Sequence, residues 1–183
     1  MGKPALKQGL QGLRTEEDRL IQAFKVGDKA VYPAHGVAEI ESVETKEISG
    51  RKTTFYVLKI LESGMKIMLP TANVGAVGLR EVISKDEVEE IYDILRERDV
   101  RLDHQTWNRR YREYMDKIKA GSAHEIAEVM RDLYLLKSDK ELSFSERKML
   151  ETARSLLVKE LSIAERRKEA DVEQKLNAIF TAH

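Results

Sequence analysis

The chain has 183 residues, of which 32 are basic and 32 are acidic, so its formal net charge is zero. Because no overall attraction to phosphate exists, any contact with nucleic acid must come from a local basic patch. The sequence contains no cysteine, which excludes disulfides and thiolate chemistry and fits a cytoplasmic protein. No apolar segment is long enough for a signal peptide or a membrane span.

The first part of the chain carries strand signals after a polar opening. Residues 1–22 are interpreted as a flexible N-terminal arm. The runs KAVYP, VAEIESVETKEI, TTFYVLKILE and MKIMLP are rich in β-branched and aromatic residues and are separated by glycine-containing turns. They predict a small barrel over residues 23–82. The valines of TANVGAVGLREVI are expected to supply its last edge strand.

After Ser84 the apolar residues recur with a helical period, which predicts an all-α domain over residues 83–183. Ser84 and Ser143 are each followed by a glutamate three residues later, so both are expected to open a helix with a capping box. Thr106 is expected to cap another helix. The predicted fold class is therefore α+β, with a small barrel followed by helices.

Signals for catalysis and metal binding are weak throughout the sequence. The four histidines, at positions 35, 104, 124 and 183, lack the spacing of metal ligands, and no Walker loop or GxSxG motif is present. Adjacent acidic residues such as Glu89 and Glu90 point apart on a helix and are expected to face solvent. We therefore expect no enzyme activity, no catalytic residue, no metal site and no cofactor.

The stretch HQTWNRRYREYMDKIKAGS contains Trp107, the only tryptophan of the chain. Spacing alone favours a buried stripe, formed by Trp107, Tyr111, Tyr114, Met115 and Ile118. The position of Trp107 in the first helical turn instead favours partial exposure. Residues 107–119 hold five basic and two acidic residues, a net charge of +3, whereas residues 81–101 hold eight acidic and four basic residues, a net charge of −4. A planar side chain beside arginines suits insertion into a DNA minor groove.

Several long motifs resemble those of the CarD/CdnL family of bacterial transcription regulators. They are FKVGDKAVYPAHGVAEIESVE, GLREVI, TWNRRYREYMDKIKAGS, EIAEVMRDLY and LSFSERKMLETARSLLVKEL, and the resemblance covers about residues 24–180. It implies a Tudor-like barrel that docks on the β subunit of RNA polymerase and a helical domain that contacts promoter DNA. We expect a monomer.

The resemblance also implies particular contact residues. Trp107 is similar to the family's tryptophan, which wedges into the minor groove at the upstream edge of the −10 element. Arg109 and Arg110 correspond to the neighbouring arginines. Arg112 and Lys117 complete the set that we expect to contact DNA.

For the barrel, the family's polymerase-contacting positions fall on Lys46, Ile48 and Met68. Some relatives have arginine at the positions of Lys46 and Met68, so docking here is expected to rely more on apolar contact. A strand added to an edge is held mainly by main-chain hydrogen bonds, which such changes leave in place.

These features predict a non-enzymatic regulator that stabilises the open promoter complex. Attachment to polymerase makes weak DNA binding sufficient, because the second contact becomes intramolecular. An alternative stays open, in which the protein is a polymerase adaptor whose helices bind another protein, since the stripe around Trp107 suits either partner. The barrel also resembles the polymerase-binding module of the transcription-repair coupling helicase, but the missing Walker motif excludes a helicase motor.

Overall fold

The structure, a computed structural model, describes residues 24–102 and 106–182. The predicted arm, residues 1–22, and His104 lie outside this part of the chain. Within it, one antiparallel sheet has the strand order β4-β3-β2-β1-β5. Its strands are β1 (Lys29–Tyr32), β2 (Gly36–Ile48), β3 (Arg51–Ile60), β4 (Lys66–Pro70) and β5 (Arg80–Glu81).

The helices follow the strands along the chain, apart from a single turn that precedes β5. They are α1 (Val74–Val77), α2 (Lys85–Arg96), α3 (Trp107–Ala120), α4 (Ala123–Asp139), α5 (Phe144–Glu165) and α6 (Glu169–Thr181). The predicted sequence of a sheet followed by helices is confirmed. Among the described residues, none of these helices is long and apolar enough to cross a membrane.

The sheet is open, so the predicted closed barrel is not observed. β4 and β5 stand at the two ends of the strand order, and no pairing joins them in the described ranges. β5 has only two residues and pairs with β1 alone, which leaves too little strand to complete a circle. A bulge between Ile40 and Ser42 shifts the register of β2 against β3. Bulges of this kind bend a strand and increase its twist.

The last segment of the sheet domain differs from the sequence prediction. The valines of TANVGAVGLREVI do not form the edge strand, because Val74 and Val77 lie in the helical turn α1. Gly78 ends that turn with a left-handed backbone, φ 74°, and the edge strand is made by the next polar pair, Arg80 and Glu81. Val74 instead contributes to the buried core beneath the sheet.

The described residues form two hydrophobic cores, one in the sheet and one among the helices. The sheet core is formed by Phe24, Ala30, Ala38, Ile40, Tyr56, Leu58, Ile60, Leu69, Val74 and Leu79. The larger helical core is centred on α4 and α5, and α2 adds to it the four buried residues of its apolar face. Capping boxes at Ser84 and Ser143 open α2 and α5 as predicted, each with reciprocal bonds to a glutamate three residues later.

The sheet and the helices are in direct contact through the turn between β1 and β2. Gly36, the first residue of β2 directly after this turn, lies so close to α5 that a Cβ atom would stand 3.0 Å from Leu156 Cδ2. Pro33 packs against Gly121, the residue that ends α3. The sheet therefore touches both the helix that begins at Trp107 and the longest helix of the protein.

Candidate functional site

Trp107 is the first residue of α3 and is half-buried against the helical core. Its Nε1 donates a hydrogen bond to Ser145 Oγ on α5, at 3.0 Å. The indole ring meets the Tyr111 ring edge to face, with centroids 5.5 Å apart. Thr106 precedes the helix, but its side chain makes no capping hydrogen bond, contrary to the sequence prediction. The tryptophan is thus anchored by α5 and not by the local cap.

The rest of the predicted stripe is narrower than expected. Tyr114 and Ile118 are buried and Met115 is half-buried, which agrees with a packed side of α3. Tyr111 is 39% exposed, so its assignment to that side was wrong. Since α3 buries only two residues fully, Tyr111 falls at the boundary of the contact and stands beside Trp107 at the surface.

The predicted DNA-contacting side chains differ in their environment. Arg109 is 71% exposed in its side chain and lies 3.7 Å from Glu113. The guanidinium carbon of Arg110 lies 6.0 Å from the Trp107 ring centroid, within reach of a cation–π contact. Arg112 is exposed, and no ion pair joins it to another described side chain. The first half of α3 therefore presents an aromatic ring together with several cations.

Lys117, the remaining predicted DNA contact, is less available than the arginines. Its Nζ lies 2.6 Å from Glu128 Oε2, in an ion pair that joins α3 to α4. A partly exposed pair of this kind is worth about 1 kcal/mol, and it directs the lysine toward α4. The structure thus separates Lys117 from the cluster around Trp107.

Phe144 is a surface residue that the sequence reasoning missed. It is 72% exposed at the first position of α5, next to the Ser145 that holds Trp107. An apolar groove runs beside it, lined by Ala34, Tyr111, Met115, Ile118, Phe144, Ser145 and Met149 together with Lys119, Lys148 and Thr152. The helical period could have predicted this exposure. Met149 and Leu150 are buried, and the residues one turn earlier on the same face are Ser145 and Glu146. Phe144 therefore lies outside the buried face of α5.

The predicted polymerase contacts come together on the sheet. Lys46 and Ile48 lie on β2 and Met68 on β4, and all three are exposed. Lys46 pairs with Thr53 and Met68 pairs with Val57, so the register of β3 puts them on one face. Lys46 Nζ lies 4.0 Å from Met68 Sδ.

The outer side of β2 is open where these residues lie. β1 pairs with β2 only over residues 36–39, whereas β3 continues beside it to Ile48. Over residues 42–48, no described strand covers the side of β2 that faces away from β3. Residues 45–54, termed the β2–β3 ribbon, also extend beyond β4. Exposed main-chain groups along such an edge can pair with a strand of another protein.

No group of three or more possible metal-ligating side chains occurs among the described residues. His124, one of the four histidines, instead forms a single pair with Glu90, at 2.8 Å between Nε2 and Oε2.

Two family models match the chain. The model of the CarD-like/TRCF RID domain matches residues 24–83, and the model of the CarD C-terminal domain matches residues 90–177. The Bacillus subtilis (strain 168) protein "Putative transcription factor YdeB" is 39% identical over 142 residues, which cover 76% of this chain and 91% of that protein. A solved structure of CdnLNt from Myxococcus xanthus is 58% identical, covers 34% of this chain and 87% of its own, and has a TM-score of 0.30.

These matches define the class of protein. The first domain model describes a Tudor-like module that interacts with RNA polymerase, and the family consists of transcription regulators and not of enzymes. The two models follow one another in the same order as the sheet and the helices. The chain therefore belongs to the CarD/CdnL family of transcription regulators.

Proposed function

We propose that the protein docks on the β subunit of RNA polymerase through its sheet and stabilises the open promoter complex with Trp107. In this mechanism the indole wedges into the minor groove at the upstream edge of the −10 element. The observation that carries the proposal is the position of Trp107, half-buried at the start of α3 with the Arg110 guanidinium beside its ring and its N–H already bonded to Ser145.

A wedge must overcome the cost of opening a base step, which amounts to a few kcal/mol. Contacts between phosphates and the exposed guanidinium groups of Arg109 and Arg112 offset this cost. Because Ser145 accepts the indole N–H, the polar atom of the ring needs no partner from DNA. A ring held in this way also loses little conformational entropy when it binds.

Docking uses the open side of β2 and the face that carries Lys46, Ile48 and Met68. A strand of the β subunit adds to residues 42–48 through main-chain hydrogen bonds, which tolerate the lysine and the methionine at positions where some relatives have arginine. The apolar side chains of Ile48 and Met68 supply contact area, since both are exposed in the free protein.

The two halves of the chain then have separate tasks. Residues 23–82 hold the protein on polymerase and residues 83–183 contact DNA, in a monomer that needs no cofactor. Once the sheet is docked, DNA meets the helices at an effective concentration in the millimolar range, so a chain with zero net charge can still bind it.

The decisive experiment compares Trp107→Ala with Tyr134→Ala. Both changes remove a half-buried aromatic that packs against the helical core, but Tyr134 stacks on Phe180 of α6 and not on a residue of α3. The lifetime of the open promoter complex should fall sharply for Trp107→Ala and stay near wild type for Tyr134→Ala, while both bind polymerase. Equal lifetimes in the two variants, with both folded, would refute the wedge.

One observation favours a second candidate, the adaptor that binds another protein. The apolar groove beside Phe144 is a surface that a protein partner would fill as readily as DNA. Salt dependence separates the two. Binding of the full chain to promoter DNA should weaken steeply with salt if phosphates are contacted, whereas a shallow dependence or no binding favours the adaptor.

A further inference from the structure

Arg80 joins the sheet to two helices through one side chain. Its backbone lies in β5 and is paired with Val31 of β1. Its Nε and Nη2 donate to the Gly121 carbonyl oxygen at 3.0 and 2.7 Å. Its Nη1 and Nη2 donate to the two carboxylate oxygens of Glu160 at 2.6 and 2.9 Å. One guanidinium therefore fixes the end of α3 and the C-terminal part of α5 relative to the sheet.

The acceptors of this contact are themselves held in place. Glu160 is only 3% exposed, and its Oε1 also accepts the backbone N–H of Ile83 at 3.1 Å. Gly121 is the residue that follows the last turn of α3. A cation at this end satisfies a carbonyl that the helix leaves without a partner and matches the negative end of the helix dipole.

Gly121 also marks a second, independent contact with the sheet. A Cβ atom there would lie 2.9 Å from Pro33 Cβ and 3.0 Å from the Pro33 main chain, and the φ angle is +76°. Any larger residue would push the β1–β2 turn away from α3. The end of α3 is thus held by two contacts, the packing of Pro33 and the hydrogen bonds from Arg80.

We infer that Arg80 is a positioning residue, which with Gly121 and Glu160 forms an interdomain clamp that sets the direction of α3 and so the place of Trp107. Trp107 and Gly121 mark the two ends of this 14-residue helix. A tilt of roughly 10° about the clamped end would move the far end by roughly 4 Å, given the rise of 1.5 Å per residue. That displacement is about the distance between neighbouring nucleotides of one DNA strand. If the clamp does not fix α3, the docked protein therefore presents the indole to the wrong base step of the DNA.

The clamp fits a positioning role better than a purely stabilising one. Replacing a buried ion pair by apolar residues is often neutral for stability, because desolvation of the charges offsets their attraction. A forked guanidinium adds directional constraint, since it holds two acceptors in fixed orientation. The inference relies on the proposed function only for its second readout, the lifetime of the open complex.

The test measures the direction of α3 and the activity in the same variants. Because the chain has no cysteine, two cysteines can be introduced for spin labels, at Lys59 on β3 and at Asp116 on α3.

Three variants are compared. Arg80→Lys keeps the charge but loses the forked guanidinium that binds Gly121 and Glu160. Gly121→Ala opens the contact with Pro33 while Arg80 stays intact. Gly64→Ala is the matched control, since Gly64 has a similar φ of +71° but open space around its Cβ position.

We expect Arg80→Lys and Gly121→Ala to broaden the distance distribution between the labels, and Gly64→Ala to leave it narrow. Open-complex lifetime should drop by on the order of tenfold in the first two variants with polymerase affinity unchanged, as expected when one of two linked contacts is misplaced. If Arg80→Lys does not fold, the two glycine variants decide the matter.

An unchanged distance distribution would overturn the clamp, and so would a broadened one with an unchanged lifetime when Trp107→Ala does shorten that lifetime. Failure of the proposed function gives a different pattern. In that case Trp107→Ala itself leaves the lifetime unchanged, whereas the distance measurement still reports whether Arg80 fixes α3.

Discussion

The hydrogen bond between Trp107 and Ser145 determines how the tryptophan is presented. The indole packs on the helical core along one side, and its N–H is satisfied inside the protein. A buried donor without a partner carries a desolvation penalty, so Ser145 holds the ring in one orientation. Trp107 is neither a fully buried residue nor a freely rotating surface residue. This intermediate state is what a pre-oriented wedge requires.

Ser145→Ala should therefore weaken function without removing the indole. The loss of one hydrogen bond is expected to lower the free energy of unfolding by about 0.5–1.5 kcal/mol. The open-complex lifetime should shorten because the ring can then rotate. Chemical denaturation and promoter-complex decay measure the two effects. Ser155→Ala, an exposed position on the same helix, serves as control, and a Ser145 variant indistinguishable from it would contradict the anchoring role.

The basic residues of α3 should differ in how much they contribute to DNA binding. Arg112 is exposed and unpaired among the described side chains, whereas Lys117 is already paired with Glu128. We expect Arg112→Ala to reduce the slope of log affinity against log salt by about 0.9, the value of one phosphate contact in B-DNA. Lys117→Ala should change it less. Fluorescence anisotropy over a salt series tests this, and equal slopes for both variants would argue against it.

At the level of elements, the helix starts were predictable because their signals are local. Ser84 and Ser143 each need only a glutamate three residues later to satisfy the first turn, and both boxes form. The edge of the sheet was not predictable in the same way. Val74 and Val77 favour strands by propensity, but the core under the sheet and the turn at Gly78 place them in a helical turn.

Contacts between distant residues set the remaining limits of the sequence prediction. Arg80 and Glu160 are 80 positions apart, and neither belongs to a local motif that indicates a partner. Tyr111 follows the helical spacing but lies at the edge of the narrow buried face of α3. A prediction from spacing alone therefore makes Tyr111 more buried than it is. The position of Lys46 beside Met68 likewise depends on strand register, which the sequence alone leaves open.

The cap of α5 predicts a pH dependence of stability. Burial raises the pKa of Glu146, but the backbone N–H of Ser143 and the ammonium group of Lys140 outweigh it, so the pKa lies below its usual value of 4.5. A carboxyl with a lowered pKa stabilises the folded state above its unfolded pKa, and this stabilisation is lost as the pH falls through the folded pKa.

Glu146→Gln should accordingly reduce stability at neutral pH by about 1 kcal/mol, because glutamine can still accept the Ser143 N–H in the capping box but loses the charge that pairs with Lys140. As the pH falls below 4.5 and through the lowered pKa of the folded state, the difference from wild type should shrink, because the wild-type carboxylate becomes protonated. Urea unfolding at a series of pH values measures this. Glu151→Gln, exposed on the same helix, should show neither effect. A constant difference across the series would count against the assignment.

For the whole molecule, the proposed mechanism has two attachments, and each contact then depends on the other. On this proposal the sheet docks before weak DNA contacts are populated, since zero net charge gives no general attraction to DNA. The double change Lys46→Glu with Ile48→Asp should abolish polymerase binding while the fold is retained, because it places two charges on the docking face. Pull-down with polymerase and circular dichroism measure both properties.

Lys52→Glu provides the control for this docking prediction. Lys52 lies in the β2–β3 ribbon, but it pairs with Glu47 and so faces away from Lys46 and Ile48. We expect this reversal to leave polymerase binding close to wild type. If the double variant still bound polymerase while folded, the docking face would be misplaced.

The open side of β2 also has a kinetic consequence. Over residues 42–48 no described strand has to be displaced before a partner strand can pair. Charged side chains such as Glu44 and Lys46 border this edge in the free protein, and charge of this kind discourages pairing between copies. Association with polymerase should then be limited by diffusion and orientation and not by a rearrangement of the sheet, so its observed rate should rise linearly with concentration.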